Sequence, residues 1–123
     1  MNPRLTTLAI SRGDVVLVDL GTTVGAETCK IRPCIVIQND IANATSPVTI
    51  VVIMVSYKGK KLFPGNVLLR ASETGLNGDS VVLINQIRTV DKTRLIKKLG
   101  RIPDDKIRLV DMAIICHLDL DYT

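Results

Sequence analysis

The sequence predicts a mainly β, α+β chain that finishes in one amphipathic helix. Apolar, β-branched runs at residues 15–18, 34–37, 48–56 and 80–84 are separated by polar stretches rich in turn formers. The hydrophobic period changes from two to three-and-four only in the last segment, residues 103–119. The length, 123 residues, suits one core and is too short for two. The chain is therefore read as a single domain, 1–123, with residues 1–11 as a flexible leader.

Composition narrows the function classes. The chain is 46% hydrophobic with a mean hydropathy of +0.29, yet its longest unbroken apolar run is residues 50–55. That is far short of the roughly 20 residues needed to span a bilayer. A soluble protein is expected, with surplus apolar surface suited to a symmetric dimer. The net charge of +4 and pI near 9.2 favour a polyanionic partner such as nucleic acid. Aromatic residues make up only 2%, so binding of a single strand has to rely on charge and hydrogen bonds rather than on base stacking. Residues 1–10 lack the apolar core of a secretory signal. Cys29, Cys34 and Cys116 are odd in number and without zinc spacing, which fits a reduced cytoplasm and no metal site.

In chain order, Gly13-Asp14 opens the first strand, residues 15–20, and residues 21–30 form a ten-residue loop. Hairpin loops usually take two to five residues, and longer ones are disproportionately functional. Glu27 lies in this loop and Arg32 just beyond it. Pro33 cannot donate to a central ladder, so Arg32-Pro33 marks the mouth of the second strand, and Arg32 is held extended with its guanidinium facing outward. Residues 38–47 read as a polar connection into a central strand, Val48–Ser56, with Ser56 where the strand emerges. Lys58, Lys60 and Lys61 follow, either as a solvated turn or as a phosphate-facing patch.

Val67–Leu69 and residues 80–84 read as a further ribbon joined by the turn-rich stretch 72–79. Residues 86–91 then alternate with period two, which places Gln86 and Arg88 on one face and in one groove. Gln86 reads equally well as a buried strand amide. Asp91 is a fair N-cap for one helical turn. Residues 96–102 make a short basic edge strand, with Lys97 and Lys98 protecting it from mispairing. In the final helix Ile107, Val110, Ile114 and Leu118 form the apolar face, widened by Leu109 and Ala113, and Asp104 and Asp105 complement the N-terminal dipole. His117, the sole histidine, falls in its last turn and reads as structural.

No GxxxxGK, GxGxxG, HExxH or CxxC motif is present, and no histidine neighbours Ser56 in sequence to activate it as a hydrolase nucleophile. RNA cleavage needs no external nucleophile, because the 2′-hydroxyl can attack its own phosphate. The protein has to orient the strand, move two protons and neutralise charge. A permanently charged, planar guanidinium held by a following proline suits that last task.

The order RGDVVLVDL, GAE, KIRPCIVIQND, a β-rich run ending in Ser56, SVVLINQIRTVDKTRL, LG and a final helix resembles the MazF/PemK family of toxin endoribonucleases over residues 12–120. The resemblance implies a compact SH3-like β-barrel with short helices, a homodimer, cofactor-free and metal-independent cleavage of single-stranded RNA in the cytoplasm, and inhibition by a cognate acidic antitoxin. It also implies catalytic roles for Arg32 at the scissile phosphate, for Ser56 as a hydroxyl donor, and for Glu27 as base or as organiser of the arginine. Gln86, Arg88, Lys58, Lys60 and Lys61 are expected to bind RNA. The chain departs from the family pattern at Ser56, where threonine is usual, at Met54, where proline is usual, and at Ala26, where serine is usual. These departures keep open a non-catalytic nucleic-acid module. A gyrase-poisoning relative on the same barrel uses a C-terminal tryptophan, which this chain lacks.

Overall fold

A computed structural model of the chain describes residues 8–21, 30–63 and 65–121. Six strands form one curled antiparallel sheet: β1 (Asp14–Asp19), β2 (Ile31–Val36), β3 (Val48–Ser56), β4 (Val67–Leu69), β5 (Ser80–Asp91) and β6 (Leu95–Arg101). Their spatial order is β4-β5-β3-β2-β1-β6. Both faces of the central strands are covered, which is why they read as continuous apolar runs. Val15, Ile35, Val52, Met54 and Val82 point to one core, and their sequence neighbours Val16, Cys34, Val36, Val51 and Ile53 to the other. Fully burying one such aliphatic side chain contributes about 1.5–3 kcal/mol. Leu8 and Ile10 pack against the second core, while the first seven residues of the expected leader lie outside the described residues.

Among the described residues three α-helices complete the fold: α1 (Asp40–Thr45), α2 (Ala71–Thr74) and α3 (Asp104–His117). The connection expected at 38–47 thus contains a helix. Asn39 caps it, its Oδ1 accepting the Ala42 N–H at 2.8 Å. The turn expected at 72–79 likewise begins with a helical turn, where the Glu73 carboxylate accepts the Arg70 N–H at 2.8 Å. Asp91 does cap a short 3-10 turn, accepting from Thr93 N–H at 2.9 Å.

The expected face of α3 needs correction. Val110 is buried, and Ile107, Ala113 and Ile114 pack on the first core, but Leu109 and Leu118 remain 49% and 51% exposed. The helix lays down a narrower stripe than its sequence offers.

The sheet curls without closing, and its edge strand β6 meets α2. A Cβ on Gly100 would stand 2.8 Å from the Thr74 carbonyl oxygen, and one on Gly75 would stand 2.6 Å from that of Leu99. Gly75 also adopts φ +79°, a conformation open to glycine. The two backbones approach this closely because neither residue has a side chain.

Candidate active site

The pairing of β2 with β3 runs from Val36–Val51 to Cys34–Ile53 and stops there. The next residue of β2 is Pro33, whose nitrogen has no hydrogen to donate. Beyond that point β3 continues to Ser56 beside β5 only, where Met54 faces Val82 and Ser56 faces Ser80. A cleft of about 230 Å³ opens between the separated strand ends, bordered by Arg32, Pro33, Met54, Ser56 and the turn 76–78.

The two residues singled out for phosphate chemistry therefore border the same cleft. Arg32 is exposed at the mouth of β2, and Ser56 is exposed at the end of β3. Among the described residues no hydrogen bond or ion pair occupies the Arg32 guanidinium. Met54, by contrast, is fully buried in the first core, so its side chain serves as a floor and not as a ligand. Glu27 lies outside the described residues.

Lys58, Lys60 and Lys61 line a second cleft of about 250 Å³ with Tyr57 and Phe63. It shares Val55 and Ser56 with the first, so the cationic segment continues the Arg32 site. Phe63 is 75% exposed over it, a stacking surface that composition alone did not reveal. A third cleft, about 290 Å³, holds Gln86, Asn85, Asn66 and His117 and shares Phe63 and Asn66 with the second.

Gln86 and Arg88 do not serve one groove. In the β3–β5 ladder Val52 pairs with Ile87 but Ile53 pairs with Leu83, so a bulge holds Ile84, Asn85 and Gln86 out of register. The period-two reading fails across that bulge. Arg88 stands instead on the second-core side, opposite Val51, with Nη2 donating to the Leu20 carbonyl at 3.5 Å. Its Nη1 is buried without a partner. Burial pushes the nearby Cys34 thiol up to about 12, against the opposing charge of Arg88, so Cys34 is not a nucleophile at neutral pH. No group of acidic, histidine or cysteine side chains among the described residues could hold a metal ion.

The turn 76–78 was missed by sequence reasoning, which took it for a connector. Its place in the site depends on the Gly75–Gly100 seam, a contact between distant parts of the chain that no local pattern signals.

Comparison with known proteins agrees with this geometry. Residues 11–118 match the family of PemK-like, MazF-like toxins of type II toxin–antitoxin systems. The chain is 41% identical over 113 residues to Endoribonuclease EndoA of Bacillus subtilis (strain 168), covering 92% of this chain and 97% of that protein. Its fold is similar to that of MazF from Deinococcus radiodurans, with TM-score 0.77, 24% identity, and 91% and 98% of the two chains covered. It is also similar to a mycobacterial endoribonuclease solved with its cognate antitoxin, with TM-score 0.76, 23% identity, and 94% and 100% covered. The chain belongs to the PemK-like, MazF-like toxin family.

Proposed function

We propose that this chain is the toxin of a type II toxin–antitoxin pair and an endoribonuclease that cuts single-stranded RNA at a short sequence without a metal. The observation that carries the reading is the cleft at the β2–β3 mouth, where a guanidinium with no hydrogen bond or ion pair among the described residues and an exposed hydroxyl border one cavity. Its likeness to EndoA over most of both chains supports the activity.

In the reaction the 2′-oxygen forms a bond to the adjacent phosphorus and the bond from phosphorus to the 5′-oxygen breaks. One proton leaves the 2′-hydroxyl and one is delivered to the departing 5′-oxygen. The products are a 2′,3′-cyclic phosphate and a 5′-hydroxyl. Arg32 neutralises the charge that grows on the non-bridging oxygens and orients them in its planar fork. The Ser56 O–H donates to the same phosphate. Glu27 is assigned as base or as organiser of Arg32. The lysines of the second cleft hold flanking phosphates, and Gln86 lies farther along the same path. Arg88, whose Nη2 points to the Leu20 carbonyl at 3.5 Å, stands apart from this path.

The partners follow from charge and surface. An acidic antitoxin fits the net charge of +4, and a relative of the same fold was solved with its cognate antitoxin. Leu109, Met112, Leu118 and Leu120 on and just after α3 are each about half exposed, which supports a homodimer. No helix among the described residues is long and apolar enough to cross a membrane. An RNA substrate and a reduced, buried Cys34 support a cytoplasmic location. One sheet with a core on each face supports a single folding unit over 1–123.

The test is to incubate the purified protein with single-stranded RNA in excess chelator and map the product ends. Discrete cuts ending in 2′,3′-cyclic phosphate are expected. RNA that is bound but left whole would overturn the reading in favour of a binding module.

A further inference from the structure

Six side-chain amides among the described residues fall into two groups. Those of Gln38, Asn39 and Asn43 are spent on the fold. Gln38 Nε2 donates to Asn43 Oδ1 and to the Val48 carbonyl, both at 3.0 Å, Asn39 caps α1, and Asn43 Nδ2 donates to the Gln38 carbonyl at 2.9 Å. Among the described residues no hydrogen bond holds the side-chain amides of Asn66, Asn77 and Asn85, and all three line the connected clefts. Asn77 is the one in the cleft of Arg32 and Ser56.

Its mount is rigid. On one side Leu76 packs against the first core, and its N–H donates to Thr74 Oγ1 at 3.1 Å. On the other, Asp79 accepts the Ala71 N–H at 2.9 Å and an Arg70 guanidinium hydrogen at 2.9 Å, and its carbonyl accepts the Tyr57 N–H at 2.9 Å. Gly78 beside it has open space where a Cβ would stand, so a ligand can approach the backbone. Of the other side chains around the cleft, Met54 and Ser80 are buried, and Arg32 and Ser56 have the chemistry for phosphate. What remains unread there is the base.

We propose that Asn77 is a specificity-determining residue, whose amide reads the nucleobase next to the cut by offering a donor and an acceptor side by side. An amide suits a splayed base that presents the complementary pair, as adenine does with N6 and N7. The proposal rests on the endoribonuclease reading. Asn77 is exposed and makes no side-chain hydrogen bond among the described residues, so changing it leaves the fold in place.

The experiment cleaves a pool of randomised single-stranded RNA with the wild type, Asn77→Ala and Asn77→Asp, and sequences the cut ends. Asn77→Ala is expected to lower the base preference at one position flanking the cut by on the order of tenfold while cutting continues. Asn77→Asp, which keeps the size but replaces the donor with a second acceptor, is expected to shift that one position toward bases presenting an amino group. Preferences at the other positions stay as in the wild type. A wild type that cuts, with the same preferences in both variants or with an equal loss on every sequence, overturns this assignment alone. A wild type that cuts nothing overturns the endoribonuclease reading and the assignment together.

Discussion

Two of the arginine-lined clefts among the described residues differ in what the arginine is doing. The larger, about 460 Å³, lies against α3 and holds Arg12, Ile37, Asp111, Met112 and Ile115. Arg12 is fully engaged there: it forms a two-point ion pair with Asp111, its Nε donates to the Ile37 carbonyl at 3.0 Å, and its backbone N–H donates to Asp40 at 2.7 Å. Arg32, in the smaller cleft, has none of these attachments among the described residues. Size favours the first cleft and chemistry the second. A guanidinium already neutralised by a carboxylate ties elements together, whereas one left at a strand mouth is available to a phosphate.

The sharpest way to break this comparison is to remove each arginine in turn. Arg32→Ala is expected to lower single-turnover RNA cleavage by about 10²–10³-fold, with a melting temperature close to that of the wild type because the side chain lies outside both cores. Arg12→Ala is expected to do the reverse, leaving cleavage within a few-fold. It should cost about 1–2 kcal/mol of stability in a denaturant titration, at the lower end because the pair is partly solvated.

The seam that places the turn 76–78 can be tested by overfilling it. Gly100→Ala puts a methyl 2.8 Å from the Thr74 carbonyl oxygen and is expected to destabilise the protein by about 1–3 kcal/mol. The same change should weaken cleavage by displacing the turn. The same substitution at Gly78, where a Cβ meets open space, should leave stability unchanged. Equal melting temperatures for the two variants would remove the seam from the account.

Smaller effects sharpen the site itself. Ser56→Thr restricts χ1 and is expected to raise the cleavage rate a few-fold, since the hydroxyl is then held closer to one orientation. A second small effect concerns the support of the turn. The Ala71 N–H, and next the Arg70 guanidinium, hold the Asp79 carboxyl below its usual value of 3.8. A depressed carboxyl stabilises the fold above the unfolded value and loses that contribution as pH falls through the folded one. Acid unfolding should therefore steepen below pH 3.8 in the wild type and flatten in Asp79→Asn.

Much of this was legible in the chain. Pro33 marked the mouth of β2, where the pairing with β3 stops while that with β1 continues, and the β3–β5 sheet follows the apolar runs at 48–56 and 80–84. Arg32 and Ser56 were identified because each stands where such a run ends. Arg88 was misplaced because alternation assumes an unbroken ladder, and the bulge at Ile84–Gln86 leaves no trace in hydropathy. Asn77 was missed for a different reason: its position depends on Gly75 meeting Gly100 where α2 packs on β6, and sequence patterns report neighbours along the chain. The helices α1 and α2 were overlooked because both are short and polar, held by capping contacts from Asn39 and Glu73 and not by an apolar stripe.

The most direct measurement follows the arginine side chains themselves. In a titration of the protein with a short RNA carrying 2′-methoxy groups, which leave the phosphates intact and remove the attacking hydroxyl, the Nε–H resonance of Arg32 should move in step with binding while that of Arg12 stays fixed. A shift of Arg12 with no response from Arg32 would contradict the assignment of the β2–β3 mouth as the place where phosphate is held.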